Sequence, residues 1–216
     1  MARPQNDIET GRIEAGRARL VEVACALIEE RGGQALTMQE VAIHAGMSPA
    51  NVLRFFDSKE ALLEAIAEFW FRPKVVMMEE VIASDLPPRR KMYEFFARRF
   101  VIMRDAYRAD PVAHQMYIEL GNDHFETVRS YVDLADHYLS MIIGEAMADG
   151  FFAGLDIDMT LSLINQMVHP YCNIALMKGM MDRLSEEKLA CIIDAMFDGL
   201  SAQDRGAKGV TGLRAA

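Results

Sequence analysis

The stretch "LTMQEVAIHAGMSPANVLRFFDSKEAL", residues Leu36 to Leu62, carries two sets of helix-start signals with one glycine between them. Thr37 and Glu40 form a capping-box pair, in which the hydroxyl accepts from a first-turn amide and the carboxylate reaches back to the cap amide. Met38, Val41, Ala42 and Ala45 then repeat at i, i+3, i+4 and i+7. That spacing gives one apolar stripe, and Ala42 is small enough for a second helix to cross closely. Gly46 permits a positive φ and ends the helix, Met47 plugs the angle, Ser48 caps a new helix and Pro49 fills its first position. Two short helices joined by about four residues are therefore expected. Val52, Phe55 and Phe56 anchor the second one inward, leaving Pro49, Ala50, Asn51 and Arg54 at its exposed leading end. In a helix-turn-helix that end meets base edges; in a purely structural helical hairpin it meets only solvent.

Outward from this stretch, apolar residues keep helical spacing and no sustained alternation marks a strand. Ile13, Leu20, Val23, Ala24, Leu27 and Ile28 share one face of a first helix, and "RGG" at 31–33 supplies its stop. Further stops divide the remainder into helices near 58–83, 88–108, 111–120, 123–149, 157–181 and 186–200. The fold class is all-α: an N-terminal three-helix unit over 1–57, a larger helical domain over 58–202, and a small, Gly-bearing tail over 203–216. At 216 residues, 51% hydrophobic and 25% charged, the chain is long enough for a substantial core. Its three cysteines are far apart and form no close pair, so they read as reduced thiols. The polar start "MARPQNDIETGRIEAGRARL" has no apolar signal core and no later segment is an uninterrupted apolar span, so the expected location is the cytoplasm.

From Leu36 to Leu63 the chain resembles the DNA-binding domain of the TetR/AcrR family of transcriptional regulators. The matching residues are Thr37, then Ala45-Gly46-Met47-Ser48, then Phe55-Phe56-Asp57-Ser58-Lys59-Glu60-Ala61-Leu62-Leu63. The resemblance in sequence spans residues near 12 to 70; beyond that the chain is similar only as a run of helices of suitable length. It implies DNA contacts at Gln39, Ser48, Pro49, Ala50, Asn51 and Phe55, with the Thr37 cap counted among the DNA-binding residues, and a phosphate contact at Lys59. The chemistry agrees, since Gln39 or Asn51 can bond adenine bidentately and Ala50 can touch a thymine methyl. Lys59 adds its charge to the positive end of a helix. Leu53 stands where the family usually has a phosphate-bonding tyrosine, so Arg54 is the candidate replacement.

The net charge of −9 makes the opposite case. Even Met1 to Arg72 holds eight basic residues against eleven acidic ones, so no basic patch announces DNA. Binding then rests on a few cations that reach phosphates, and Arg12, Arg17, Arg19, Arg54 and Lys59 lie on elements able to flank one groove. The resemblance also implies a homodimer through the last two long helices, here Asp156 to Arg183 and Ser185 to Ala202. Leu161, Ile164, Met167 and Val168 lie on the former, and Leu189, Ile192, Ile193, Met196, Phe197 and Leu200 on the latter; both stripes suit an internal core equally. It implies an effector pocket as well, for which Met103, Tyr107, His114, Tyr117, His124, Tyr138 and His169 are candidates. The 16 methionines, Met77, Met78, Met92, Met103, Met116, Met141, Met147, Met167 and Met177 among them, suit an adaptable cavity or a plain core. "HP" at 169–170 should kink its helix.

His114, His124 and His169 match no metal-ligand spacing, and no cofactor motif is present. Pairs such as His114 with Glu119, or His124 with Glu126, lack the nucleophile elbow, P-loop or His-Glu-x-x-His that would support an enzyme. Two functions remain in competition. One is a dimeric repressor on a double-stranded DNA operator, released by a small apolar or aromatic effector, with no membrane partner. The other is a DNA-bound structural or cell-division factor that uses the same module without a small-molecule switch.

Overall fold

The structure, a computed structural model, describes residues 4–31, 36–111, 114, 118 and 125–201, with side chains from residue 10 onward and, in the 125–201 stretch, from residue 128. Helices follow one another as α1 (Pro4–Arg31), α2 (Met38–Ala45), α3 (Pro49–Val52), α4 (Lys59–Ala83), α5 (Pro88–Ala109), α6 (Phe125–Ala148), α7 (Ile157–Cys172), α8 (Ile174–Met180) and α9 (Glu186–Gly199). A 3₁₀ turn at Met181–Arg183 separates the last two. No strand occurs among the described residues, in agreement with the all-α reading. The expected tail at 203–216 lies outside the described residues. The chain divides into two compact units, Met1–Val75 with Asp105–Val132 and Val76–Arg104 with Asp133–Ala216.

In the first unit the core is built where α1, α2 and α3 meet. Leu20, Ala24 and Leu27 of α1, Val41 and Ala42 of α2, Val52 of α3 and Phe56 are buried together. Each large side chain so covered contributes about 1.5–3 kcal/mol relative to exposure. Leu62, Leu63 and Ile66 close the same cluster, so the core that seats the two short helices continues past residue 57 into α4. Ile13, expected on the buried face of α1, is 46% exposed and Val23 is only half-buried; the inward stripe begins at Leu20 and includes Val21 and Cys25 instead.

The second unit packs an aromatic and aliphatic core. On α5 the buried residues Met92, Phe95, Phe96, Phe100 and Met103 follow helical spacing. Phe100 meets Tyr171 of α7 edge to face at 5.2 Å. Leu139, Ile142, Ile143 and Ala146 of α6 are buried, as are Ile164 and Val168 of α7 and Leu189, Ile193, Met196 and Phe197 of α9. Arg89 ties α5 to α9 through Asp194 and Asp198 while lying over the rings of Phe151 and Phe197. Phe152 has φ 59, a conformation unfavourable for a bulky residue, and its ring is 2% exposed; burial offsets that backbone cost. Met77, Met78, Met92, Met103 and Met177 fill this core, whereas Met141 and Met167 are exposed. Met116 lies outside the described residues. The three cysteines are free.

One expected element is corrected. The helix expected over 157–181 is two helices, because Asn173 is extended (φ −94, ψ 115) and its side chain accepts from the Leu176 amide at 3.0 Å, capping α8. Pro170, inside α7, has no amide to donate, and α7 ends two residues after it, at Cys172.

Candidate nucleic-acid interface

The local signals in residues 36–62 produce the geometry they encode. Thr37 is extended (φ −115, ψ 148), its Oγ1 accepts from the Glu40 amide at 3.3 Å, and the Thr37 amide donates to Glu40 Oε2 at 2.9 Å. Arg31, the last residue of α1, adds an ion pair to Glu40 Oε1 at 2.5 Å. The Thr37 hydrogen bonds first, and Arg31 next, hold the Glu40 carboxyl down at about 2. The start of α2 is thereby bonded to the end of α1.

At the other end of α2, Gly46 is left-handed (φ 67, ψ 31), and its amide and that of Met47 donate to Ile43 and Ala42 at 3.1 and 2.9 Å. A Cβ there would touch nothing within 4 Å, so the need for glycine is set by the backbone alone. Ser48 Oγ accepts from the Asn51 amide at 3.3 Å with Pro49 as the first helical residue. The link between the helices is three residues, 46–48, one fewer than expected, because the left-handed residue reverses the chain at once. After Val52 the turns continue through hydrogen bonds from Phe55 and Phe56 to the Val52 carbonyl, at 2.9 and 3.0 Å.

Val52 and Phe56 are fully buried, and Met47 packs against the same core. Gln39, Ser48, Pro49, Ala50, Asn51, Leu53 and Arg54 are exposed, while Phe55 and Lys59 are half-buried. Thr37 is exposed too, but its hydroxyl is engaged by Glu40. Ser58 Oγ accepts from the Ala61 amide at 3.0 Å, which makes Lys59 the first residue of α4. The candidate base readers thus stand at the solvent side of a rigid turn, and the residues that hold the turn stand beneath them.

Two cations expected to flank a groove are used within the unit. Arg17 donates to the Phe55 carbonyl and lies over the Phe56 ring at 4.2 Å, and Arg19 Nη2 donates to the Ala45 carbonyl at 3.4 Å. Both carbonyls end helical turns and lack an intrahelical partner, which a guanidinium satisfies well. Arg12 and Arg54 remain exposed.

Of the effector candidates, Tyr107 and His114 come together in the first unit, edge to face at 5.7 Å. His114 is buried and its Nε2 has no hydrogen-bond partner among the described residues. Burial first, and the Lys74 charge second, lower its pKa and favour the neutral ring. Met103, Tyr138 and His169 belong to the second unit. Met103 is core, the Tyr138 hydroxyl donates to Glu79 at 3.1 Å, and exposed His169 lines an open groove with Asp136, Asp158 and Asn165. Tyr117 and His124 lie outside the described residues. Among the described residues no three His, Cys, Asp or Glu side chains converge as metal ligands, and no helix is long and apolar enough to cross a membrane.

Comparison with known proteins places this geometry. Residues 20–66 match the family profile described as bacterial regulatory proteins, tetR family, and residues 88–193 match that of the tetracyclin repressor-like C-terminal domain. The HTH-type transcriptional repressor KstR2 of Rhodococcus jostii is 27% identical over 168 residues, which take in 75% of this chain and 79% of that one. A solved structure of a tetR-family regulator from Mesorhizobium loti superposes with a TM-score of 0.61 at 17% identity, covering 87% of this chain and 95% of that one. The solved structure of the superantigen PfiT superposes with a TM-score of 0.63 at 18% identity, covering 86% and 98%. At such identities the solved structures speak for the fold alone.

Proposed function

Because the chain belongs to the tetR family of bacterial regulatory proteins, a non-enzymatic family of DNA-binding transcriptional regulators, we propose that it works as a dimeric repressor released from its operator by a small apolar or aromatic effector. The observation that carries this reading is the Gly46 turn, which holds Ser48 to Asn51 outward over a buried Val52 and Phe56. Asn51, just after that turn, and Gln39, at the start of α2, read bases, and Arg54 with Lys59, at the start of α4, grips phosphates. Residues 1–57 carry the reading and residues 58–202 the pairing and the switch, in the cytoplasm.

Pairing through the last long helices is supported by what the subunit leaves uncovered. Ile164 and Val168 of α7 and Leu189, Ile193 and Met196 of α9 fill the subunit's own core. Met159, Leu163, Met167 and Pro170 form a second stripe on α7, half-buried or exposed, and Cys191 and Ala195 are exposed on α9. A second copy fits such a surface, since a two-fold axis pairs like with like. Effector binding at the Tyr107–His114 pair then lowers DNA affinity by its preference for one subunit arrangement.

A gel shift on duplex DNA from upstream of the protein's own gene, repeated with a panel of apolar and aromatic small molecules, tests the reading. Retarded complex that one or more compounds dissolve is the expected outcome. A complex indifferent to the whole panel returns the protein to the structural-factor reading, which the repressor named among its relatives does not favour.

A further inference from the structure

Two consecutive residues of α1 grip the end of the recognition turn. Gly16 lies against the Phe55 ring: a Cβ added there would press on Cε1 and stand 2.7 Å from Cζ and 3.0 Å from Cδ1, closer than side chains pack. A glycine inside a long helix weakens it, so such a position calls for a close approach, and Phe55 makes one. Arg17 donates to the carbonyl of the same Phe55 and stacks on the ring of Phe56, which is fully buried and therefore fixed. The guanidinium thus joins an immobile ring to the carbonyl of the half-buried residue before it.

We propose that Gly16 and Arg17 are positioning residues for DNA recognition: one admits the Phe55 ring, the other bonds its carbonyl, and together they set how residues 49–55 stand on α1. Phe56 and Val52 fix the depth of the turn; a contact at its far end is needed to fix its tilt. Arg19 does the equivalent at Ala45, the end of α2. The inference rests on the DNA-reading function of the turn and differs from a phosphate role for Arg17 in what it predicts. A phosphate contact contributes to every duplex and to the salt dependence; a positioning contact contributes only where base edges are read.

The test uses the full chain. In vitro selection from a random duplex library supplies a preferred sequence. Wild type, Arg17→Met, Arg17→Lys and Gly16→Ala are then titrated with that duplex and with an unrelated one of equal length across a salt series, beside thermal melts and NMR spectra of ¹³C-phenylalanine-labelled free protein. Arg17→Met is expected to lose roughly 10-fold on the preferred duplex, the scale of one misread base pair, with unrelated-duplex affinity and salt slope unchanged. Phe55 and Phe56 signals should move, Arg17→Lys should recover part of the loss through its remaining donor, and Gly16→Ala should act in the same direction as Arg17→Met. Equal losses on both duplexes with the salt slope lower by about one would make Arg17 a phosphate contact and overturn the proposal. Should wild type select no sequence, the DNA reading itself fails, and unmoved Phe55 and Phe56 signals in Arg17→Met and Gly16→Ala would separately overturn the positioning role.

Discussion

Gly46 and Glu40 show how much of the interface a single residue decides. The left-handed backbone at Gly46 leaves room for a Cβ but not for its strain, so Gly46→Ala should cost about 1–2 kcal/mol in urea denaturation although no atom clashes. Glu40 works through charge. Its folded pKa of about 2 lies below the ordinary 4.5, so it stabilises above the unfolded value and loses that contribution as pH falls through the folded one. Stability of wild type and Glu40→Gln, compared along a pH series, should therefore differ most near neutrality and converge between about 4.5 and about 2. Both residues were legible in the sequence, because a capping box and a left-handed turn are encoded within a few positions of each other. Arg17 was not. Its partner is 38 residues away, and whether an α1 arginine points at a phosphate or at Phe55 depends on a helix crossing that no local spacing states.

Among the helices, α2, α4, α5 and α9 begin and end within a residue or so of where the pattern placed them. The exception is the long apolar stretch after Asp156. Its 3.6-residue spacing runs on past Cys172, so periodicity alone joins α7 to α8, whereas Asn173 offers its side chain to the Leu176 amide and starts a new helix. Asparagine competes for backbone amides in this way wherever the chain permits. Asn173→Ala should cost about 1 kcal/mol, the usual loss for an N-cap, seen as a lower midpoint in thermal or urea unfolding. The core stripes of α7 and α9 were visible as apolar periodicity, yet which half faces inward was not. Ile164 and Val168 are buried and Met167 is exposed because the helix rotates its Ile164 side toward α9 and the second-unit core.

The net charge of −9 bears on the whole molecule. With Arg17 and Arg19 bonded internally, the cations left to meet phosphates on the first unit are chiefly Arg12, Arg54 and Lys59, so under the proposed function one copy alone is expected to grip DNA weakly and a pair more tightly. Exposed Met159 and Met167 are the proposed seam. The double variant Met159→Glu with Met167→Glu should sediment as a monomer with its helix content retained, whereas a variant that stays dimeric would move the seam elsewhere. Paired reading through the Gly46 turn is tested most directly by hydroxyl-radical footprinting on a selected duplex. Two protected patches on one side of the DNA, centred about one helical turn apart (~10 bp), and lost in Asn51→Ala, are the expected pattern. A single patch, or protection that survives Asn51→Ala unchanged, would contradict it.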